Sequence, residues 1–419
     1  MTSKMDLSKK KVFIWDLGLQ GELAKTVAEK AAKVWYYVPN DMELYPTPLK
    51  DFIGRNLEGV ERVKTFFPYV KDADLTIIPE SQLAGVVSFL QHLKFPVAGP
   101  ALKHSWLETE RWKARLAQDE IGLPVQNSEA VQGVDALCSF FDKHQNWLIK
   151  GNGYRGLFDT FPIRDKKDLE PTVNFLKYKL GPFKNDLPFM VEEKLEGMET
   201  GYDTIAWDGM QIWPSLLSLA AKDECYLAKV CDEADMPTGY RLMHELLATK
   251  LEGYRFFYSV ETLTGKDQIP YLIDLTLRIG SPSPLAIYLE LYQNFAEVIC
   301  GMALGEKIAP KPKDGIKYVA SVNLTLRQEE NFTNIEIPDS IRPYVKLCRG
   351  CKKGAEYYTV PDWEVAATVL GFGNTVEAAI KEAKGRSKEL HAKGLVDNSG
   401  SLDDYYDDIK KAKEIGINF

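Results

Sequence analysis

Between residues 10 and 100 short apolar runs alternate with helical ones, and this alternation restricts the fold more than any other feature. KVFIWDLG, residues 11–18, is a β-branched and aromatic run that ends in turn residues, and ELAKTVAEKAA after it has helical character. KVWYYVPN repeats the first pattern, and DLTIIPES followed by LAGVVSFLQHLKF repeats the pair before PVAGP. Short apolar runs bounded by turn signals read as buried strands, and strands alternating with helices imply βαβ units on a parallel sheet. The expected class is therefore α/β, with a Rossmann-like N-terminal domain whose loops at the strand ends face a ligand. Gly18-x-x-Gly21 could bring backbone N–H groups to a phosphate. The full glycine fingerprint is absent, and a plain strand-to-helix turn is the better account of the pair.

The chain has 419 residues, enough for two or three domains, and its 45% hydrophobic and 27% charged content is that of a globular protein. Lys and Arg number 52 against 60 Asp and Glu, a net charge of −8. No global field then draws the protein to nucleic acid or to an anionic membrane, and any polyanion must be met by a local site. No apolar run is long enough to span a membrane, and MTSKMDLSKKK lacks the hydrophobic stretch of a secretory signal. The expected location is the cytoplasm. Six scattered cysteines argue against a disulfide framework. Cys348 and Cys351 have metal spacing, but without a second pair or a histidine cluster they are weak evidence for zinc. His92 and His104 read as surface or core residues.

Three later segments carry charge in unusual places. Ser105 is a plausible N-cap with Glu108 three residues on, opening a helix that Gly122 and Pro124 stop. In NWLIKGNGYRGLFDTFPIRD, Lys150 ends an apolar strand, and Gly151, Gly153 and Gly156 loosen a turn that holds Arg155. Such a loop can lay N–H groups and positive charge over phosphates, although a functionless hairpin fits equally. PFMVEEKLEGMETGYDTIAW reads as strand, bend and strand, with Glu192, Glu193 and Glu199 close to apolar positions. On the plain reading these acids form a solvated hairpin face.

YSVETLTGKDQIPYLIDLTLRIGSPSP has two apolar runs joined by turn chemistry at Gly265-Lys266-Asp267. Period two places Asp274, Thr276 and Arg278 on one face, with Glu261 on the neighbouring strand. Two carboxylates, a hydroxyl and a guanidinium are groups that magnesium and a phosphate chain require. A polar sheet edge with cross-strand ion pairs is the competing account. Helical periodicity follows from Leu285. The last third holds the strands YVASVNLTL, EYYTV and VAATVLGFG, the helix TVEAAIKEAKGRSKEL, and a tail helix that is first acidic, then basic and reads as solvated.

The order of these pieces resembles the ATP-grasp enzymes, and within them the phosphoribosylamine-glycine ligase family. GPALKHSWLETERWKARLAQDEIGLPV is similar to that family's Gly-Pro, helix and Gly-Ile-Pro segment, VEEKLEG to its acidic hinge, and VAATVLGFGNTVEAAIKEA to its C-terminal strand, loop and helix. The resemblance implies an ATP-grasp fold with α+β nucleotide lobes. An N-terminal domain would cover 1–100, and an ATP-grasp domain 101–310 with a mobile subdomain at about 145–205. A small ligase-like domain would cover 311–395 and a tail 396–419.

Residue by residue, Lys150 matches the family's strand-end phosphate lysine, and Arg111 falls where the other phosphate lysine stands. Arg155 matches the basic residue of the flexible loop. Glu192, Glu193, Lys194 and Leu195 match the hinge that reads adenine, mostly through backbone groups, and Glu199 matches the acid that accepts from ribose hydroxyls. Glu261 and Asp274 resemble the magnesium-bridging acids. Thr276 stands where the family has Asn, Asp274 where it has Glu, and Gly280-Ser281-Pro282-Ser283 replaces Gly-Asp-Pro-Glu. Arg278 matches the arginine that steadies the transferring phosphoryl group.

The implied ligands are ATP and magnesium, with manganese as the alternative. The implied chemistry is attack of a carboxylate on the γ-phosphate and capture of the acyl phosphate by an amine. Such a step relies on positioning and charge neutralisation and needs no nucleophilic side chain. Two rivals share these residues: a nucleotide-binding protein without turnover, favoured by Thr276, and an ATP-dependent carboxylase. The partners are small-molecule carboxylates and amines, with no nucleic acid or membrane expected and the choice between monomer and dimer open. DLGLQGELA lacks the basic and histidine residues that the ligase family has there, which points to a divergent substrate.

Overall fold

The computed structural model describes residues 5–39, 48–152, 160–221, 223–327, 332–361 and 363–419. The N-terminal alternation folds as its pattern requires. Strands β1 (Lys11–Trp15), β2 (Lys33–Tyr37), β3 (Val60–Val63), β4 (Leu75–Ile77) and β5 (Val97–Ala98) form a parallel sheet in the order β3-β2-β1-β4-β5. β3 has two charged residues in four and gave no strand signal in the sequence. Gly18 adopts φ +110° in the turn after β1, where an added Cβ would lie 2.9 Å from the Ile53 side chain. Its glycine thus has a structural reason, as the plain reading held.

A second, antiparallel sheet is built from β6 (Ser128–Gln132), β7 (Trp147–Gly151), β8 (Phe161–Ile163) and β9 (Pro188–Glu193), in the order β6-β9-β7-β8. The helices Val134–Phe141 and Lys166–Leu180 contribute Val134, Leu137, Leu176 and Leu180 to a core with Ile149, Phe189 and Val191, separate from the other cores. Alternation explains the packing, since Ile149 and Val191 are apolar positions opposed in register.

The third and largest sheet begins with β10 (Met198–Trp207), β11 (Met210–Ala221), β12 (Cys225–Cys231), β13 (Phe257–Thr264), β14 (Pro270–Thr276) and β15 (Tyr318–Leu326). After β16 (Thr333–Ile335) come β17 (Val345–Leu347), β18 (Gly350–Lys353), β19 (Glu356–Thr359), β20 (Val365–Gly373) and β21 (Leu395–Asp397). Nine described strands follow the order β14-β13-β10-β11-β12-β15-β20-β17, with β21 paired to β15, while β16, β19 and β18 make a small separate sheet. β13 and β14 are the expected hairpin. Chain 194–197 links the second sheet to β10, so the hairpin edge of the large sheet adjoins the four-stranded one.

Three local expectations change. Ser105 does not cap a helix but lies inside one, Leu102–Thr109, which ends at Glu110 (φ −105°, ψ 72°) before a second helix, Arg111–Glu120. The helical run from Leu285 is likewise two helices, Ser283–Leu291 and Phe295–Leu304. The tail is docked rather than solvated. Tyr405 and Ala412 of the helix Tyr405–Glu414 are buried, and the Tyr405 hydroxyl accepts from Ala221 N–H at 2.7 Å and donates to Cys225 O at 2.8 Å. Its charge pattern reports only the outer face. The six cysteines are unbridged, and burial pushes the Cys348 and Cys351 thiols up to about 12 and 11. Among the described residues no helix is long and apolar enough to cross a membrane.

Candidate active site

The β13–β14 hairpin sets its two acids directly opposite each other. Glu261 faces Asp274, Val260 faces Leu275, and Ser259 faces Thr276. Opposed residues of an antiparallel pair have Cβ atoms roughly 5 Å apart, close enough for two carboxylates to share one hard divalent cation. Glu261 is exposed and Asp274 half-buried, so the pair is within reach of a ligand. The donor set fits magnesium or manganese. Among the described residues no group of three or more His, Cys, Asp or Glu is arranged to hold a metal, so further coordination positions would fall to phosphate and water. Thr276 is buried beside Ser259, one step beyond the acid pair on the same face of β14.

Between Thr262↔Leu272 and Glu261↔Asp274 the register slips, leaving Ile273 as an extra residue in β14. Bulges of this kind re-aim side chains and free backbone groups. The freed Ile273 carbonyl accepts from Lys150 Nζ at 3.2 Å. Lys150, at the end of β7, also places Nζ 2.6 Å from Glu192 Oε2. The Glu192 carboxylate is wholly buried and takes, on its other oxygen, the guanidinium of Arg115. Arg115 donates further to Gln118 Oε1 and to Leu272 O, both at 2.6 Å. Two cations therefore grip successive carbonyls, Leu272 and Ile273, just before Asp274, and share one carboxylate. Burial pushes Glu192 up, but the charges of Lys150 and Arg115 outweigh it and hold the carboxyl below the usual range.

Sequence reasoning missed Arg115. Its one local signal is the i,i+4 spacing from Arg111, which puts both guanidinium groups on one side of the helix. Arg111 occupies the neighbouring gap: Nη1 donates to Gly151 O at 3.0 Å, and Nη2 lies 4.0 Å from Asp274 Oδ2. Lys150, Arg111 and Asp274 are thus brought together.

In the hinge, Glu192 is bonded into β9 between β6 and β7, so its side chain is committed within the protein. Glu193 N–H donates to Asn127 O, Glu193 Oε2 accepts from Asn127 Nδ2 at 2.9 Å, and Lys194 N–H donates to Asn146 O at 3.0 Å. The side chains of Glu193 and Lys194 are exposed and Leu195 is half-buried. In β10, Glu199 opposes Leu263 and Gly201 opposes Glu261. Alternation therefore puts the exposed Glu199 on the face that carries Glu261, two residues along and one strand across, roughly 8 Å away between Cα atoms.

Arg278 lies just past β14, where Glu108 anchors it. Glu108 Oε1 accepts from Arg278 Nε at 3.1 Å, and its Oε2 accepts from Leu277 N–H at 2.8 Å. Arg155, with Gly153 and Gly156, lies outside the described residues.

This arrangement of sheets superposes on solved structures. Phosphoribosylamine-glycine ligase from Thermotoga maritima superposes with a TM-score of 0.70 at 17% identity, over 92% of this chain and 98% of its own. The chain has the ATP-grasp fold. The biotin carboxylase domain of 2-oxoglutarate carboxylase from Hydrogenobacter thermophilus, in a complex with MgADP, matches over 98% of this chain and 99% of its own, with a TM-score of 0.69 at 12% identity. An L-amino acid ligase from Bacillus licheniformis matches over 92% and 98%, with a TM-score of 0.62 at 14% identity. No protein-family model and no curated protein sequence matches the chain.

Proposed function

We propose that the protein is an ATP-dependent carboxylate–amine ligase that works through an acyl phosphate and releases ADP and phosphate. The observation that carries this reading is the opposed pair Glu261 and Asp274 with Lys150 and Arg111 converging on the same strand. Solved ATP-grasp relatives are ligases and carboxylases, some in complexes with ADP, which supports a nucleotide-dependent enzyme. Magnesium or manganese at Glu261 and Asp274 would neutralise phosphate charge. Lys150 and Arg111 hold phosphate oxygens, and the backbone of 192–195 reads adenine. Glu199 accepts from the ribose hydroxyls. Arg278, with Arg155 from the glycine-rich loop, steadies the phosphoryl group as the substrate carboxylate attacks it. The protein's work is positioning and charge neutralisation. The division into 1–100, 101–310, 311–395 and 396–419, with a mobile part at about 145–205, belongs to the same proposal.

Release of ADP from MgATP against pooled carboxylates and amines tests the reading, with a requirement for both pools as the expected outcome. Bicarbonate replacing the amine requirement would make the protein a carboxylase instead. Thr276 favours nucleotide binding without turnover, because a buried hydroxyl is a poorer ligand than an amide oxygen. A thermal midpoint raised by MgATP with no ADP formed under any pool would select that second reading. Lys150→Ala should weaken ATP more than adenosine, and equal losses would remove Lys150 from the phosphate site.

A further inference from the structure

The hairpin acids have a buried neighbour on the same face of the large sheet. Gly201, Glu261 and Asp274 form one row across β10, β13 and β14, and two residues along, Asp203, Ser259 and Thr276 form the next. Asp203 is 4% exposed. Its Oδ1 accepts from the Ser259 hydroxyl and its Oδ2 from the hydroxyl of Tyr226, which reaches over β11 from β12. Glu192 is offset by two cations, whereas Asp203 is held by hydroxyls. An apolar residue at 203 would avoid the cost of burying a carboxylate, so the acid needs a reason beyond packing.

What covers Asp203 supplies that reason. The chain leaving Arg278 turns at Gly280 directly above it: a Cβ added to Gly280 would lie 2.8 Å from Asp203 Oδ1 and 2.8 Å from the Pro284 side chain. The Gly280 carbonyl accepts from Leu285 N–H at 2.8 Å. At the other end of the segment, Glu108 takes Leu277 N–H. Arg278 thus sits on a short stretch whose two ends rest on buried carboxylates, Glu108 and Asp203.

The ionisable groups around Asp203 are tyrosines. Tyr226 of β12, and Tyr288 and Tyr292 within and just after the helix Ser283–Leu291, are pushed up by burial and by the Asp203 charge, so all three are neutral near pH 7. Burial pushes Asp203 itself up to about 6, with the Ser259 and Tyr226 hydrogen bonds opposing the rise. A protonated carboxyl turns one accepting oxygen into a donor, and one of the two hydroxyls must then turn round.

We propose, on the ligase reading above, that Asp203 is a positioning residue for Arg278: its carboxylate, held by Ser259 and Tyr226, seats the Gly280 turn, and the seated turn sets the guanidinium against the phosphate chain of the nucleotide. A proton taken up at Oδ1 releases Ser259 and unseats the turn. Glu80, buried after β4, is pushed up to about 7 by burial against the charge of Arg278, so substitution has to tell the two acids apart.

Two readouts on the full chain test this from pH 5 to pH 8: ADP release from MgATP, and the affinity for a nonhydrolysable ATP analogue with magnesium, taken from the rise in thermal midpoint. In the wild type both should fall about tenfold between pH 7 and pH 5, as the ionised fraction of Asp203 falls. Asp203→Asn should sit near the low value throughout and lack this acid limb while still unfolding cooperatively. Ser259→Ala should move the limb to higher pH, because a hydrogen bond that favours the charged form is gone, and Glu80→Gln should keep it. A purely structural role for Asp203 would lower both readouts equally at every pH. A wild type without the limb, an Asp203→Asn variant that retains it, or a Glu80→Gln variant that loses it would overturn the proposal. The analogue needs no turnover, so the expected limb in its affinity with no ADP released from any substrate pool would support the positioning role while removing the ligase reading.

Discussion

Glu192 and Glu261 sit on adjoining sheets of one cleft and meet opposite fates. Glu192 is wholly buried and flanked by Arg115 and Lys150, its charge satisfied from within the protein. Glu261 is exposed and faces a second carboxylate, Asp274. A carboxylate between two cations behaves as part of the framework, since removing a partner strands charge in a medium of low polarity. Opposed carboxylates repel, Arg111 at 4.0 Å from Asp274 offsets part of that repulsion, and a divalent cation between the acids would offset more, which is the arrangement a metal-dependent site needs. The two acids look alike in sequence, so their difference is a statement about neighbours.

The comparison breaks first at Arg115. Arg115→Met leaves Glu192 with Lys150 alone and should cost about 3–5 kcal/mol of stability, read from the midpoint of urea unfolding. A loss below about 1 kcal/mol would mean that the triad is no framework. Combining Arg115→Met with Glu192→Leu and Lys150→Met should recover most of that stability, because replacing a whole buried ion network by apolar groups of similar volume is often neutral.

At the other acid the expected effect falls on turnover. Glu261→Gln and Asp274→Asn should each lower ADP release by roughly 10²–10³-fold, equivalent to about 3–4 kcal/mol of lost electrostatic stabilisation. Thermal unfolding of the same variants without nucleotide should stay at the wild-type midpoint or rise, since like-charge repulsion is relieved. Near-normal turnover in both would reduce the hairpin acids to a polar sheet edge.

Glu80 sharpens the contrast through pH. The folded protein holds the Glu80 proton up to about pH 7, whereas the unfolded chain releases it near 4.5. The associated stability is therefore fully present below about pH 4.5 and is lost as pH rises through about 7, a difference of roughly 3 kcal/mol. Glu80→Gln has no such titration, so its stability relative to wild type should climb between pH 5 and pH 8. A difference that stays flat across that window would show that Glu80 titrates normally. The smallest effect expected is at Thr276: Thr276→Asn should raise magnesium affinity, measured by titration against ADP formation, by no more than about tenfold, or about 1.4 kcal/mol.

Much of the framework is legible in the sequence. Alternating apolar runs marked β1, β2 and β4 of the five N-terminal strands, and turn residues between β-rich runs marked the β13–β14 hairpin. β3 escaped because Glu61 and Arg62 interrupt its apolar pattern, and parallel pairing with β2 overrode weak propensity. The break between the helices at Glu110 escaped because no Gly or Pro announces it. At the site, period two and one turn put Glu261 and Asp274 on neighbouring strands of one hairpin, but their direct opposition needed the extra residue at Ile273, which no turn signal announces. Arg115 did not stand out, since nothing within its own helix explains why it is needed.

What the sequence determined by itself was local periodicity: where most of the site's strands run, that Asp274 and Thr276 share one face, and that two carboxylates share one hairpin. Side-chain period and turn chemistry act over a few residues, so a chain carries them in plain order. Only the tertiary structure decided which charges are answered. Arg115 meets Glu192 across 77 positions of sequence, and Arg278 meets Glu108 across 170. The extra residue at Ile273 turns its carbonyl toward Lys150, 123 positions away. Coulombic and hydrogen-bond partners depend on distance in space and on the surrounding dielectric, and neither is set until the three sheets have packed.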